Sequence, residues 1–477
     1  MTRYLAASVF LALAACAVGP RYQRPDVPVP ANYWRAPSGA DAASIADLPW
    51  WEMFRDPALQ ALVREAIANN QDLRLASARV EESRALLGVA RADFYPQVSL
   101  GAGGNYGQQV AKAFPIYSGF GPSGSWSANL GVSWEIDLWG KIRNASDAAK
   151  ATLLATEEGR RGTLITLVAD VAQSYFELLE LDTELEIARR NTVTRQGTLD
   201  LFTKRSQGGV GNDLEVNQAR VDLSVTASAI PATERLIALK ENQISVLLGR
   251  APGPIARGES SFLPTSPPLP VGVPAALLER RPDVLAAEDT VKAATSSVGV
   301  AIANRLPSLS LQGLIGLAGP QLPSMFSANG LVWNVGGGLL APIFEGGRLS
   351  SLEEAARAQL EETVAVYWQT VLSAYSEVSG AAVGVVKLKQ VRQELEKGVT
   401  AARAAERLAF HRYEGGVSSY LEVLDAQRSS FDAELSLAQT SRDEAVSAVQ
   451  LYRALGGGWQ EEQPAPAKAS PSSPEKG

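Results

Sequence analysis

The residues that most often carry covalent or metal chemistry are scarce in this chain of 477 residues, which holds one cysteine, Cys16, and one histidine, His411. An internal disulfide, a Cys/His zinc site, a Cys–His nucleophile pair and an HExxH site each need more of these residues than the chain supplies. A Ser–His–Asp triad would have to use His411, and the sequence shows neither a GxSxG motif nor a nucleotide-binding motif. We therefore predict a protein that is not an enzyme and that binds no metal or other cofactor.

Cys16 lies directly after a predicted signal peptide, which is the position at which bacterial lipoproteins are acylated. Arg3 precedes an apolar run, Tyr4–Ala14, of 11 residues, which is too short to cross a bilayer. Small residues then lead into Cys16, an order that resembles the bacterial lipobox, in which the thiol is acylated and becomes the new N-terminus. We predict a signal peptide over residues 1–15 and a lipid anchor at Cys16. An incidental cysteine behind an ordinary signal peptide is the alternative.

The overall composition limits the partners. The 44 basic and 51 acidic residues give a formal charge of −7, which argues against nucleic acid as a partner. Hydrophobic residues make up 46% and charged residues 20% of the chain, so it should fold and is not built from membrane helices. No run of 18 or more apolar residues follows the signal peptide, so we expect no transmembrane helix.

The chain contains a long internal repeat. Segment 205–216 matches segment 412–423 at an offset of 207 residues, and Leu248-Gly249 matches Leu455-Gly456 at the same offset. This period is far longer than that of solenoid repeats, which run from about 20 to 50 residues. We interpret it as one domain that is present twice.

Proline is missing from two long stretches, 123–230 and 343–463, although the chain has 27 prolines. Proline ends helices, and both stretches consist mostly of strong helix formers. The pattern predicts two helices of roughly 98 Å at 1.5 Å per residue. Each is closed by a Gly-Gly-Val turn and followed by a return helix, the first of which should be interrupted near Pro231. The predicted helices span 141–205, 213–248, 348–413 and 418–455.

Strands are predicted ahead of each long helix. From Trp126 to Ile136 every second residue is apolar and the residues between are small or polar, which is the period of a β-strand. Four such strands of about 10–12 residues have the length of tilted transmembrane strands. They cover about 96–107, 125–137, 307–319 and 331–342.

A half-buried sheet in a soluble α/β protein would show the same alternation, but these helices are too long to fold back over its apolar face. Four strands cannot close a barrel, and open sheet edges are not tolerated in lipid. Three copies would supply 12 strands. The pattern therefore favours a trimer whose β-barrel lies in a membrane.

These features divide the chain into six segments, beginning with the signal peptide at 1–15. A lipidated N-terminal segment, a first structural repeat, a proline-rich linker, a second structural repeat and a disordered tail should follow. Their predicted bounds are 16–56, 57–249, 250–274, 275–459 and 460–477.

Several segments resemble the TolC-type outer-membrane efflux proteins, of the lipid-anchored branch often described as NodT-like. They run in family order from residue 16 to residue 459, and the run that ends Glu-Arg-Arg-Pro-Asp is the most specific. The matching segments are Cys16-Ala-Val-Gly-Pro-Arg-Tyr22, Trp50-Trp-Glu-Met-Phe-Arg-Asp-Pro57, Asn69-Asn-Gln-Asp-Leu73, Leu277-Leu-Glu-Arg-Arg-Pro-Asp283, Gly415-Gly-Val417, Asp425-Ala-Gln-Arg428 and Leu455-Gly-Gly-Gly-Trp459.

The resemblance implies a mainly α-helical, internally duplicated fold with a membrane β-barrel, in which each copy gives two transmembrane strands and a very long helical hairpin. The protein would be a homotrimer whose 12-stranded barrel lies in the bacterial outer membrane and continues as a periplasmic α-barrel. It would be the exit duct of a tripartite efflux pump, which conducts drugs or other small molecules passively to the cell exterior.

The same resemblance implies the partners. These are outer-membrane lipid, a periplasmic adaptor protein and an inner-membrane pump of the RND type, which supplies the energy. The two hairpin turns would contact the adaptor, through Gly208, Gly209 and Val210 in the first copy and Gly415, Gly416 and Val417 in the second.

The helices of such a channel must converge near the turns to close it, and relatives carry an acidic ring at this constriction. Here the segment 401–412 carries three arginines and one glutamate, so the expected ring is missing from this stretch. We predict a gate in which glutamates just past the turns pair with these arginines. Ordinary surface ion pairs are the alternative. The predicted gate residues are Glu215, Arg403, Arg407, Phe410 and Glu422.

A second function stays open at this point. A lipid-anchored periplasmic coiled-coil scaffold or adaptor protein would share the helices and the lipobox, but it would not need four long alternating strands. The run Arg280-Arg-Pro-Asp283 is explained without a ligand, since Pro282 suits the first position of a helix and Asp283 suits the positive end of its dipole.

Overall fold

The computed structural model describes residues 17–28, 33–34, 44–54, 56–107, 123–258 and 277–458. Cys16, the predicted tail at 460–477 and the predicted linker beyond residue 258 lie outside these residues. The helices and strands within the described ranges are α1 Trp50–Met53, α2 Pro57–Asn69, α3 Gln71–Ala92, β1 Gln97–Gly107, β2 Ser123–Ile136, α4 Lys141–Gln207, α5 Asp213–Leu247, α6 Leu277–Arg280, α7 Pro282–Ala303, β3 Ser308–Gly319, α8 Leu322–Met325, β4 Leu331–Leu340, α9 Arg348–Glu414 and α10 Tyr420–Ala454.

The two halves of the chain have matching elements. Each half contains a 22-residue helix, two strands, a 67-residue helix and a 35-residue helix in the same order. The equal lengths confirm the internal duplication that the sequence repeat predicts. They also confirm a mainly helical fold with two strands and one long hairpin in each copy.

The chain forms two compact units, each drawn from three stretches of sequence. The sheet unit comprises 1–27, 78–158 and 285–369, and the helix unit comprises 28–77, 159–284 and 370–477. Both copies of the repeat contribute to each unit.

The sheet unit contains one antiparallel sheet with the strands in the order β1-β2-β3-β4. Leu100 lies opposite Leu130, which lies opposite Ile315, which in turn lies opposite Trp333. Because side chains alternate between the faces of a sheet, these residues form an apolar row on one face and leave Gly, Ser and Asn for the other. Their exposed fractions run from 43 to 80%. The sheet thus presents an uncovered apolar face.

The start of the described chain is fixed to the sheet unit. The Val18 N–H donates to the Trp139 carbonyl at 2.9 Å, and Asn144 Nδ2 donates to the Val18 carbonyl at 3.0 Å. Gly19 has a φ of +122°, and a Cβ on it would lie 2.6 Å from the Gly299 Cα. Val18, which follows the predicted anchor by two residues in the sequence, is therefore tied to the beginning of α4.

The two hairpin turns share one backbone geometry. Gly209 and Gly416 have φ values of +72° and +69°. The Val210 N–H donates to the Arg205 carbonyl at 3.0 Å, and the Val417 N–H donates to the Arg412 carbonyl at 2.9 Å. This is the Schellman pattern, in which a left-handed glycine ends a helix. The Gly-Gly-Val turns therefore end α4 and α9, as the sequence predicts.

The interruption predicted near Pro231 is wrong, because α5 runs from Asp213 to Leu247 with Pro231 inside it. Proline removes one backbone donor, which frees the carbonyl four residues earlier in the chain. Pro231 lies on the exposed side of the helix, where water can satisfy the freed carbonyl. The Ser228 hydroxyl also donates to the Val225 carbonyl at 2.7 Å, one turn away.

One helix of the described residues, α9, is long and apolar enough over one window to resemble a membrane span by length and composition. The whole helix has 67 residues, about 100 Å at 1.5 Å per residue, whereas the hydrocarbon core of a bilayer is about 30 Å thick. Its buried residues recur every three or four positions and so form one face: Val371, Ala374, Val378, Ala382 and Val385. This pattern is typical of a helix that packs against other helices.

The run Arg280-Arg-Pro-Asp283 serves as a structural tie in the helix unit. Pro282 is the first residue of α7, as predicted. The Arg281 guanidinium donates to Glu377 at 2.8 Å and to the Ala454 carbonyl at 2.9 Å, and it pairs with Asp283 at 2.6 Å. The arginine therefore joins the start of α7 to α9 and to the end of α10.

Candidate functional site at the hairpin tips

The predicted adaptor-contact residues form two matching exposed turns. Val210 is 74% and Val417 is 71% exposed, and the glycines beside them are exposed as well. The first leucine beyond each turn, Leu214 or Leu421, is also more than half exposed. Each tip therefore presents a small apolar surface on a rigid Schellman turn.

An aromatic cluster lies directly behind the tips and joins the two hairpins. Phe202 of α4 lies 5.4 Å from the Tyr413 ring of α9 and 4.5 Å from the Tyr420 ring of α10, with edge-to-face geometry in both pairs. Val216 of α5 and Val423 of α10 complete its buried core. All four long helices therefore meet at this cluster. The sequence analysis did not identify it, although aromatic residues on both sides of the second turn were a usable signal.

Glu215 takes part in a link between the hairpins. The Tyr413 hydroxyl donates to Glu215 Oε2 at 3.2 Å, so α9 is tied to α5. Burial raises the pKa of Tyr413, and the neighbouring Glu215 charge acts in the same direction. Burial likewise raises the pKa of Tyr420, to about 12. Both phenols therefore stay neutral, and Tyr413 remains a donor, at any pH near neutrality.

One arginine of the predicted gate, Arg403, pairs differently from the prediction. Arg403 Nε donates to Glu434 Oε1 at 2.6 Å, and not to Glu215 or Glu422. Antiparallel helices bring together residues at similar distances from their turn, and Glu422 is too close to the turn to meet Arg403. Glu434 is 7% exposed and also accepts from Arg190 Nη2 at 2.5 Å. It therefore binds arginines from both hairpins.

The remaining gate candidates have weaker contacts within the chain. Glu422 Oε2 lies 3.7 Å from Arg412 Nε, and both side chains are more than half exposed, so this pair contributes little to stability. Arg407 is exposed and makes no ion pair with any residue that the structure describes. Phe410 is partly buried against the aromatic cluster.

A buried ion pair lies a few turns from the tips. Arg195 of α4 and Asp222 of α5 are both 4% exposed in their side chains and are bonded to each other. Arg428 of α10 lies 3.5 Å from the same carboxylate, and Arg195 also donates to the Gln427 carbonyl at 3.5 Å. Arg195 Nε and Gln427 Oε1 are buried without a hydrogen-bond partner. The sequence analysis missed this group because charged residues in long helices usually face water.

Glu180 of α4 is a buried carboxyl group with a raised pKa. Burial, a hydrogen bond with Glu184 and the nearby charge of Asp443 together raise its pKa to about 8, although Arg442 at 3.6 Å acts in the opposite direction. Glu184 in turn accepts from Gln439 at 2.9 Å. Glu180 is therefore mostly protonated at neutral pH.

The described residues contain no group of three or more His, Cys, Asp or Glu side chains that could hold a metal ion. The interactions near the tips are hydrogen bonds, ion pairs and edge-to-face contacts between aromatic rings, and they join helices. Such an arrangement positions helices against one another.

Comparisons with known proteins agree with this arrangement. A family profile described as "Outer membrane efflux protein" matches residues 62–250 and 273–457. The toluene efflux pump outer membrane protein TtgC of Pseudomonas putida is 33% identical over 465 residues, which cover 96% of each chain. The cation efflux system protein CusC of Escherichia coli is 33% identical over 463 residues, 95% of this chain and 98% of CusC. The solved outer-membrane channel OprN has a TM-score of 0.87 and 31% identity, and the match covers 94% of this chain and 100% of OprN.

The raised pKa of Glu180 predicts a pH dependence of stability. An unfolded glutamate titrates near pH 4.3, whereas the folded Glu180 titrates near 8. The folded state therefore holds a proton that the unfolded state releases, and stability falls as pH rises through this window. The melting temperature followed by circular dichroism should fall less between pH 6 and pH 9 in Glu180→Gln than in the wild type. The exposed Glu186 of the same helix provides the control, and equal slopes for Glu180→Gln and Glu186→Gln would contradict the assignment.

The buried ion pair between Arg195 and Asp222 predicts that losing one partner lowers the free energy of unfolding more than replacing both partners does. Asp222→Asn leaves the Arg195 charge buried without its carboxylate, which should lower stability by about 3–5 kcal/mol. Glu422→Gln removes one partner of an exposed pair and should cost about 0–1 kcal/mol. Replacing both buried partners, as in Arg195→Met with Asp222→Leu, should recover much of the loss. Thermal unfolding in detergent compares the melting temperatures of the two single variants and the double variant. Similar melting temperatures for Asp222→Asn and Glu422→Gln would contradict the large cost expected for the buried pair.

Proposed function

The chain belongs to the outer membrane efflux protein family, and on that premise we propose that it is the outer-membrane exit channel of a tripartite efflux pump. One observation carries this proposal. A sheet with an exposed apolar face and helices of 67 residues occur in a single chain. A periplasmic scaffold has no use for such a sheet, whereas a channel that crosses the outer membrane and extends below it needs both parts.

A homotrimer follows from the sheet. Every residue of the edge strands β1 and β4 is exposed, and the outer edges of these strands lack a partner in the described chain. Lipid does not tolerate unpaired strand edges, so other copies must complete the barrel. Three copies of this four-stranded sheet give 12 strands, an even number within the range of known outer-membrane barrels.

The transported substance is not indicated by the relatives. TtgC is named for toluene and CusC for cations, yet each is 33% identical to this chain. We propose a passive duct for drugs or other small molecules, with the choice of cargo made by an inner-membrane pump of the RND type. A periplasmic adaptor protein would connect the pump to the duct.

The adaptor would contact the two tips through Gly208, Gly209, Val210, Gly415, Gly416 and Val417. The exposure of the two valines and the matching backbone of the turns support this proposal. An exposed apolar surface on a rigid turn can be buried by a partner at a low entropic cost.

The gate would be closed by the contacts between hairpins behind the tips. Tyr413 bonded to Glu215 and Glu434 bonded to Arg190 and Arg403 each join different helices. Phe410, Arg412 with Glu422, and Arg407 would have minor roles. Opening would require these contacts to break as the hairpins move apart.

Conductance in a planar lipid bilayer tests both the function and the gate. The purified wild-type trimer should insert and conduct with a low open probability. Arg403→Glu places a negative charge beside the buried Glu434, so it should raise the open probability several-fold. Arg407→Glu makes the same change of charge on the same helix at a residue without an ion pair among the described residues, and it should raise the open probability much less than Arg403→Glu does. A protein that never conducts would favour a scaffold, and equal effects of the two variants would rule out Glu434 as part of the gate.

The lipid anchor is proposed at Cys16 and is supported by the apolar run before it and by the fixed position of Val18. Cys16→Ala should abolish incorporation of labelled palmitate and leave an unlipidated or uncleaved chain. The barrel should still associate with membranes in part, because the anchor adds to the strands. Labelled fatty acid that still enters the variant would refute the lipobox.

A further inference from the structure

The loop that connects β3 to β4 lies at the extracellular end of the sheet. It covers residues 320–330 and contains the short helix α8. At the other end of the sheet α7 leads into β3, and β4 leads into α9. The long helices of an outer-membrane channel of this family extend into the periplasm, so the β3–β4 loop is on the opposite, extracellular side.

Two glycines show on which face of the sheet the β3–β4 loop lies. Gly319 of β3 lies opposite Trp126 of β2, and Gly124 lies two residues before Trp126, so all three belong to the apolar face. A Cβ on Gly319 would lie 2.6 Å from Ser324 Oγ, and a Cβ on Gly124 would lie 2.7 Å from the Pro320 carbonyl oxygen. The loop therefore folds over the apolar face and away from the face that carries Gly, Ser and Asn.

The β3–β4 loop is uncharged, and its outer side is apolar. The chain carries no charged residue from Leu306 to Phe344. Leu322 is 50% and Phe326 is 71% exposed, whereas Met325 between them is 5% exposed. Leu322 and Phe326 are four residues apart, so they lie on one side of the helical turn. The loop therefore buries Met325 and presents two large apolar side chains to its surroundings.

The β3–β4 loop supplies hydrogen-bond partners for part of its own backbone. The Gln321 N–H donates to Ser324 Oγ at 3.1 Å, and the Met325 N–H donates to the Gln321 carbonyl at 3.3 Å. Pro320 and Pro323 have no N–H that needs a partner. Internal partners of this kind are needed near hydrocarbon, where water cannot replace them.

We propose that the β3–β4 loop is part of the lipid-facing surface and that it inserts Leu322 and Phe326 into the outer leaflet of the outer membrane, beside Trp126. The apolar face of the barrel already faces lipid, and the loop continues that face. Aromatic side chains are enriched at the boundary between hydrocarbon and the polar layer, which suits Phe326. The partner is the acyl part of the lipid, because the loop has no cation to pair with a phosphate headgroup.

Other positions for the loop would require different contacts. A loop that covered the mouth of the barrel would fold over the polar face of the sheet. A loop that contacted a second copy would lie towards the free edge of β4. Instead Pro320 lies against Gly124 of β2, on the side away from β4.

Fluorescence quenching in liposomes tests the position of the loop. Phe326→Cys is labelled with the environment-sensitive dye NBD, which doxyl-labelled lipid quenches in a bilayer and iodide quenches in water. Asn334 and Val335 are neighbours on β4 and point to opposite faces, with Val335 on the apolar one. Asn334→Cys therefore reports the interior of the barrel, and Val335→Cys reports lipid. The wild type, labelled in parallel, controls for Cys16.

The label at Phe326→Cys should behave like the label at Val335→Cys. Doxyl lipid should quench it several-fold more strongly than the label at Asn334→Cys, and iodide should quench it several-fold less. The opposite pattern would place the loop in water or over the mouth of the barrel and would overturn the proposal. Protection from both quenchers would show that protein covers Phe326, as a second copy would, and would overturn it as well.

The quenching experiment requires the barrel to insert into the bilayer, but it does not require the channel to conduct. Conductance of the same labelled variants in a planar bilayer measures the channel function separately. A misplaced loop and a protein that is not a channel can therefore be told apart.

A change of size at Gly319 tests the contact between the loop and the apolar face. Gly319→Leu should displace α8, so the quenching of the Phe326→Cys label by doxyl lipid should fall at least twofold. Gly313 lies on the same face of β3, and a Cβ there would meet only the Asn334 carbonyl oxygen, at 4.0 Å. Gly313→Leu should therefore leave the quenching unchanged. Equal quenching in the two variants would show that the loop does not lie over Gly319, which would overturn its proposed position.

Discussion

Backbone N–H and C=O groups without a hydrogen-bond partner are not tolerated in the hydrocarbon of a membrane, and the four-stranded sheet leaves two edges with such groups. This constraint makes a single copy incomplete. The duplication supplies four strands per chain, with β2 of the first copy paired to β3 of the second along eleven residues. Further copies must pair β4 with β1 to remove these edges. The need to close the sheet therefore makes other copies of the chain a condition for a barrel in the membrane.

Inside the helix unit, buried carboxylates set how the helices align along their length. Asp222, Glu434 and Glu444 are at most 7% exposed, and each meets an arginine from another helix. A buried ion pair adds little net stability, but removing one partner is expensive. A shift by one turn would separate every such pair at once. These pairs therefore disfavour a shift of one helix along another. Apolar contacts alone, along helices of this length, would oppose such a shift only weakly.

The sequence predicts the long elements well and the contacts between them poorly. The proline-free stretch predicts a helix over 141–205, and the structure has Lys141–Gln207. Period-2 alternation likewise places the four strands within a few residues of their observed bounds. Both patterns are local, so they can be read from one stretch of chain. Pro231 shows the limit, because its effect depends on whether the freed carbonyl faces water.

The contacts near the hairpin turns are even harder to predict from the sequence, because they join residues that lie far apart along the chain. Arg403 has Glu422 nearer in sequence, yet it pairs with Glu434, because the meeting point depends on the geometry of the turn and on the third helix that carries Arg190. Counting residues from a turn gives the level of a side chain but not the direction in which it points. The aromatic cluster of Phe202, Tyr413 and Tyr420 joins residues from both copies. The three aromatic residues can be recognised in the sequence, but the contacts between them cannot be predicted from it.

The equal lengths of the two copies explain why that cluster can form. α4 and α9 each have 67 residues, and α5 and α10 each have 35. Deleting four residues from α4 alone would move its turn by about 6 Å relative to the other hairpin. Phe202 would then lose its ring contacts with Tyr413 and Tyr420, which now lie at 5.4 and 4.5 Å. Glu215 would lose Tyr413 by the same shift. The two hairpins must therefore have equal lengths for their turns to lie side by side. Any gate that closes by contacts between the hairpins requires this alignment.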